Sequence, residues 1–312
     1  MKEPLVECVP NFSEGRNSAV IDQIVAAIAA VPHILVLDVE SDADHHRSVV
    51  TFVGPPEAAV EGAFAGIAIA QQQINLDTHR GAHPRLGATD VVPFVPIRDV
   101  TMAECVALAQ KLGQRVGQEL GIPVYLYEEA ATRPERRNLA DVRRGEYEGL
   151  KQTLGIDPSR NPDFGPRTLS PAGATAIGAR APLIAYNVYL NTNDVGIAKK
   201  VAKVIRHSSG GLRHVKALGL LVDGRAQVSI NMTDFRSTPL PRVWELIRAE
   251  AARYGVLPAE SEIVGLVPED ALLDAAEHYL QLHRFQRTQV LERRLAEVEA
   301  ASQEPATGKD SQ

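Results

Sequence analysis

One order of elements, β-α-β-β-α-β, is legible twice in this 312-residue chain, and that repetition limits the architecture more than anything else in it. In the first half, LVECV at 5–9 is a short apolar run closed by Pro10, the pattern of a strand. A polar loop, NFSEGRN at 11–17, leads into apolar residues at helical spacing over 19–31, with Ser18 placed to cap them. ILVLDV at 34–39 and RSVVTFV at 47–53 are strands by their branched residues, joined through the polar ESDADHH at 40–46. Gly54-Pro55-Pro56 opens a helix over 57–73. The strand DVVPFVPI at 90–97 then carries prolines, which place it at a sheet edge or on a bulge.

The second half restarts with LIAYNVYL at 183–190 and a helix over 194–205. Strands over 215–222 and 226–231 form a hairpin through Asp223-Gly224, a two-residue turn signal. A helix over 242–254 stops at Gly255, and EIVGLV at 262–267 is the closing strand. DVVPFVP with its following helix near 102–108 parallels EIVGLVP with a helix over 271–280. The fold expected is therefore α/β (α+β), with two similar ferredoxin-like βαββαβ subdomains and a ligand cleft between them. The subdomains are expected at 1–180 and 181–300, with a polar tail over 301–312 that follows a charged helical pattern. Between the halves come a helix over 101–120 stopped by Gly121-Ile122-Pro123, a strand over 124–127, and a long irregular stretch over 128–180.

Composition serves mainly to exclude. Hydrophobic residues make up 45% and charged residues 23%, and the net charge is -6 with no long basic run, so no nucleic-acid or membrane partner is indicated. An anionic substrate would need a local group of Arg and Lys. Cys8 and Cys105 are far apart and beside apolar residues, which fits buried inert thiols and no disulfide framework. Residues 1–10 lack a signal-peptide pattern, and a cytoplasmic location is the expectation.

The densest chemistry lies in THRGAHPRLGATD at 78–90, just before a strand. Histidine is suited to proton transfer near neutral pH, and Pro84 pushes His83 toward extended geometry. A solvated loop whose histidines merely cap neighbours would have the same composition. DADHHR at 42–47 could join His79 and His83 in a metal site, but the spacing fits no metal motif, and no metal is expected. GPRTLSPAGA at 165–174 has no phosphate-loop pattern; it is either an interdomain linker or a run of small residues where a flat ligand meets backbone. Asn11, Ser13 and Glu14 in one half and Asn187, Asn191 and Asn193 in the other are either substrate contacts or ordinary turn residues.

VECVPNFSEGRN at 6–17, TFVGPPEAAVEGA at 51–63, HRGAHPRLGATDVVPFVP at 79–96, VYLYEEAA at 124–131, RRGEYEGL at 143–150, PDFGP at 162–166, GATAIGAR at 173–180 and GLVPEDALLDAA at 265–276 together resemble the formiminotransferase family. The resemblance runs in order over about 5–280. It implies two similar subdomains with folate bound between them, a homodimer, and glutamate formimidoyl transfer in histidine degradation and one-carbon metabolism. It implies His83, within GAHPRLGATD, as the catalytic histidine. Folate binding is carried over to Gly165, Pro166, Arg167, Thr168, Leu169, Ser170, Pro171, Ala172, Gly173 and Ala174. Tetrahydrofolate would be a co-substrate. The stretch ESDADHHR departs from the animal pattern, which is less acidic; Arg47 is kept and its neighbours differ. No cyclodeaminase half follows, so ammonia release from the product is expected to need another protein.

The mechanism implied is attack by N5 of tetrahydrofolate on the formimino carbon of N-formimino-L-glutamate, with glutamate leaving as its amine. His83 would take the N5 proton and return one to the departing nitrogen. Asp38, Glu40 or Asp90 would orient the imidazole or steady a cation, and Arg47 and Arg85 would grip glutamate carboxylates. Three alternatives stay open: formyl transfer between 5-formyltetrahydrofolate and glutamate in folate salvage, a metal-dependent hydrolase, and a folate-binding protein without turnover.

Overall fold

The computed structural model describes residues 3–81 and 83–303, which form two compact units divided between Pro182 and Leu183. Both are mixed α/β.

The first unit runs β1 (Leu5–Cys8), β2 (Asn11–Phe12), α1 (Ser18–Ala29), β3 (Leu35–Asp42), β4 (Arg47–Gly54), α2 (Pro56–Gln73) and β5 (Thr89–Arg98). It continues with α3 (Met102–Arg115), β6 (Val124–Glu128), α4 (Leu139–Val142), α5 (Glu146–Thr153) and β7 (Thr175–Ala179). Among the described residues these strands form one sheet in the order β3-β4-(β1 and β2)-β5-β7-β6. β7 joins parallel to both neighbours, and the remaining pairs are antiparallel.

Side chains alternate across a strand, so each residue type chooses a face. Val6, Cys8, Phe12, Val50, Phe52, Val92 and Phe94 meet α1, α2 and α3 in one apolar core. On the opposite face, Val91, Tyr125, Tyr127 and Ala176 pack with Val142 and Leu150 of α4 and α5. The β3–β4 end of that face is polar. Register places Glu7 opposite Val53, Asn11 opposite Val49, Asp38 opposite Thr51, Glu40 opposite Val49 and Asp42 opposite Arg47. Asp38, Glu40 and Arg47 thus share the sheet face turned away from α1–α3.

The second unit runs β8 (Ile184–Leu190), α6 (Val195–Ile205), β9 (Val215–Val222), β10 (Arg225–Met232), α7 (Leu240–Ala252), β11 (Pro258–Val264), α8 (Glu269–Leu280) and α9 (Leu291–Gln303). Its sheet is antiparallel in the order β11-β8-β10-β9. With β1 and β2 counted as one first strand, both units have the spatial order fourth, first, third, second. Asp223 and Gly224 both take positive φ, 49° and 73°, the turn that matches strand twist in a two-residue hairpin. The second core gathers Ile184, Val188, Val201, Val228, Val243 and Ile247.

Several elements differ from the sequence expectations. α1 is capped by Asn17, whose side chain accepts from the Ala19 amide, so Ser18 is already the first helical residue. β5 lies inside the sheet, between β1/β2 and β7, and not at an edge, but it has the bulged form its prolines also allowed: it advances two residues for one at Leu5/Val6 of β1 and at Asn11/Phe12 of β2. The helix over 101–120 starts with a capping box from Thr101 and Glu104 but ends in a π-helical turn, Val116–Leu120. The stretch over 128–180 contains α4, α5 and the interior strand β7, and is ordered by long-range ion pairs described below. Of the polar tail, 301–303 complete α9 and residues from 304 lie outside the described residues.

Cys8 and Cys105 are free and buried. Burial pushes the Cys8 thiol well above its ordinary value and Cys105 up to about 11, with Glu7 and Glu104 adding to the effect. Among the described residues, no helix is long and apolar enough to cross a membrane.

Candidate active site

His83 sits in the loop that leads into β5, half-buried, against the first residue of β4. A guanidinium nitrogen of Arg47 lies 2.9 Å from its Nε2, and 3.4 Å from Oδ1 of Asn11. A guanidinium can only donate, so Nε2 accepts and the ring is neutral with its proton on Nδ1. Burial, then the charges of Arg47 and Arg143 and the ring of His45, push the His83 pKa down to about 2, with a hydrogen bond to the Pro84 carbonyl acting weakly the other way. Arg47 is itself shifted down, first by burial and then by Arg143, while Asp90, Asp42 and Glu40 oppose this.

The loop is held from both sides. Asp90, only 1% exposed, accepts from the Leu86 amide at 2.9 Å and pairs with Arg143 through its other oxygen. Arg85 does not present a free guanidinium: it bonds Glu148 at 2.7 and 2.9 Å, Glu146 at 3.0 Å and Nδ1 of His79 at 3.2 Å. His79 also reaches the His46 carbonyl through Nε2 at 3.1 Å, which fixes it as a neutral brace between this loop and the β3–β4 turn. Burial lowers its pKa, and lowers that of His46, whose ring lies 4.3 Å from it. Tyr147 donates its amide to the Arg85 carbonyl at 2.9 Å and its hydroxyl to Asp77 at 2.8 Å. Arg143, Glu146, Tyr147 and Glu148 therefore fold back onto Arg85 and Asp90.

The segment Gly165–Ala174 joins the same assembly. Ala174 donates to the Leu86 carbonyl at 3.1 Å, Ala88 to the Ala172 carbonyl at 2.8 Å, and Leu76 to the Pro171 carbonyl at 2.8 Å. Gly173 has φ 71°, and a Cβ there would lie 2.3 Å from the Leu86 carbonyl oxygen, so the two backbones meet where no side chain fits. Gly165, Arg167, Thr168 and Pro171 are exposed, Pro166, Leu169 and Ser170 are half-buried, and Ala172, Gly173 and Ala174 are buried beneath them. The first-strand loop is used internally: Ser13 bonds the Gly87 carbonyl at 2.7 Å, and Glu14 accepts from the Arg16 and Asn17 amides at 2.8 and 2.9 Å. In the second unit, Asn187 donates to Glu262 at 3.0 Å and Asn191 accepts from the Leu257 amide at 2.8 Å.

The structure thus gathers His83, Arg47 and Asp90 in one neighbourhood, with Asp38 and Glu40 half-buried on the adjoining sheet face. It ties Arg85 to two carboxylates. It adds Arg143, Glu146 and Glu148, to which sequence reading gave no role and for which the charge density of RRGEYEGL was the available signal. It makes His79, read as a candidate metal ligand or cap, a brace between loops. Among the described residues, no three His, Cys, Asp or Glu side chains converge as a metal site.

Comparison with known proteins bears on the whole chain. Residues 5–180 match the formiminotransferase domain, N-terminal subdomain, and residues 185–299 match the formiminotransferase domain. A glutamate formimidoyltransferase of Thermoplasma acidophilum is 55% identical over 295 residues, 93% of this chain and 97% of that protein. One from Streptococcus pyogenes serotype M1 is 50% identical over 93% of this chain and 98% of that protein. A formimidoyltransferase-cyclodeaminase of Gallus gallus is 46% identical over 90% of this chain but only 53% of its own length. The chain belongs to the formiminotransferase family.

Proposed function

We propose that this chain transfers the formimino group of N-formimino-L-glutamate to N5 of tetrahydrofolate, giving 5-formiminotetrahydrofolate and L-glutamate. The observation that carries this is identity of 55% and 50%, over nearly the full length, to proteins named glutamate formimidoyltransferase. In this reading His83 is the general base and then acid. Its support is a neutral ring whose Nε2 lone pair is aimed at the polar site and engaged by Arg47. N5 attacks the formimino carbon, and its proton passes to Nε2. Collapse breaks the bond to the glutamate nitrogen, which takes a proton back from the imidazolium. Amidines are cationic near neutral pH, so the carbon is electrophilic at the outset.

Arg47 is assigned to a substrate carboxylate, and Asp38 and Glu40 to the cationic carbon. Asp90 and Arg85 are assigned to holding the loop, given the partners that already occupy them. Gly165–Ala174 is assigned to the folate on family resemblance, with Gly165, Arg167, Thr168 and Pro171 as its exposed residues. Each unit is further read as a ferredoxin-like βαββαβ module, supported by their common strand order. A homodimer in the cytoplasm acting in histidine degradation completes the proposal on family resemblance.

The test is turnover of purified protein with tetrahydrofolate and either N-formimino-L-glutamate or N-formyl-L-glutamate, following the folate product and free glutamate. Glutamate release with the formimino donor is expected. Turnover with the formyl donor alone would replace this activity with formyl transfer.

A further inference from the structure

Arg143 is the feature the proposed chemistry does not yet use. It follows α4, and its side chain is 15% exposed. One terminal nitrogen pairs with Asp90. Its Nε is buried with no hydrogen-bond partner among the described residues. Buried donors are nearly always satisfied, because an unpaired one costs about 1–3 kcal/mol. Geometry brings a second guanidinium toward it: Arg47 bonds Asn11 of β2, and Asn11 and Phe12 pair with Val91 and Thr89, which flank Asp90, the partner of Arg143. The charge of Arg143 also acts on Arg47 and His83. Among the described residues no carboxylate is ion-paired with Arg47, while Asp90, Asp42 and Glu40 act on it at longer range. One guanidinium thus keeps an unused buried donor, and the other donates to a neutral imidazole where a carboxylate would be a stronger acceptor.

We propose that Arg143 and Arg47 together seat a carboxylate of the bound glutamyl substrate beside His83, and that seating it frees the imidazole for proton transfer. This rests on the reading of the chain as a formimino transferase with His83 as its base. A carboxylate is a stronger acceptor for a guanidinium than a neutral ring nitrogen, and it accepts bidentately. Its arrival therefore draws the Arg47 donor off Nε2. It also offsets the positive charge of Arg47 and Arg143 that opposes protonation of the ring, with burial and His45 still disfavouring it. Substrate binding and activation of the base become one event. The glutamyl carboxylate has two sources, the formimino donor and the glutamyl tail of folate, with the same chemistry.

The experiment compares kcat/KM of wild type, Arg143→Gln and Arg143→Lys in two arms. The donor arm uses N-formimino-L-glutamate against its two monoamides, N-formimino-glutamine and N-formimino-isoglutamine. The acceptor arm uses tetrahydrofolate against tetrahydropteroate, which lacks the glutamyl tail. Wild type is expected to disfavour the analogue lacking the seated carboxylate by about 10–100-fold, the worth of a charge-assisted hydrogen bond. Both variants are expected to lose most of that discrimination in one arm, and the arm identifies the source. Arg143→Lys keeps a cation for Asp90, so it separates recognition from folding if the Gln variant does not fold. An NMR titration adds a readout that a structural role would not move: glutarate is expected to raise the His83 pKa in wild type. Folded variants that keep full discrimination in both arms would overturn the proposal. Wild type that turns over no formimino donor would instead overturn the underlying activity.

Discussion

His83 binds its proton far less readily in the folded chain than in an unfolded one, where histidine titrates near 6.5. Its folded pKa is depressed, so the stability it contributes is present above about pH 6.5 and is lost as pH falls toward the folded value. His46 and His79 shift in the same direction, each first through burial. Melting temperature should therefore fall between pH 7 and pH 4.5, and His83→Gln should flatten part of that slope. An unchanged slope in the variant would mean that the ring is not held neutral. Asp90→Ala should lower the stability measured in urea by about 3–5 kcal/mol, because it strands a largely buried Arg143. His83 and Arg47 were legible in sequence because each sits in a short run rich in chemistry. Arg143, Glu146 and Glu148 were not. Nothing local indicates that charges in an irregular stretch fold back to Asp90 and Arg85, over 50 residues away.

At the scale of elements, turns and caps were the most readable features, since they depend on a few adjacent residues. Asp223-Gly224 formed its hairpin, whereas the cap of α1 moved by one residue to Asn17. β7 escaped notice because AGATAIGAR lacks a branched run. The structure gives the reason: Gly178 lies against Tyr127, and a Cβ there would come within 2.5 Å of its carbonyl oxygen. An interior parallel strand with an aromatic ring over it selects small residues, which carry little strand signal. The prolines of β5 allowed an edge or a bulged strand, and it is the second: interior, between β1/β2 and β7, with register shifts on both antiparallel neighbours. The close backbone crossing at Gly173 gives a direct prediction. Gly173→Ala requires positive φ and meets the Leu86 carbonyl oxygen, so it should cost at least about 1–3 kcal/mol and be visible as a lower urea midpoint. A neutral effect would show that Gly165–Ala174 is not pinned to the histidine loop.

For the whole molecule, the duplicated element order was the most informative reading, because hydrophobic periodicity survives where residue identity does not. Both units share one strand order, and family matches cover 5–180 and 185–299. The parallel extension through β7 and β6, seen among the described residues only in the first unit, accompanies the folding of Gly165–Ala174 and RRGEYEGL onto the loop that carries His83. Function at this scale came from resemblance, since composition only excluded partners. An amidinium donor is electrophilic without a Lewis acid, so turnover should survive exhaustive chelation; loss restored by added metal would contradict the mechanism. The central claim is formimino transfer with His83 moving the proton. It is tested most directly by comparing wild type and His83→Ala for glutamate release from N-formimino-L-glutamate with tetrahydrofolate, alongside tetrahydrofolate binding. The account predicts turnover lowered by about 10²–10⁴-fold with folate binding largely kept. Near-normal turnover in His83→Ala would contradict it.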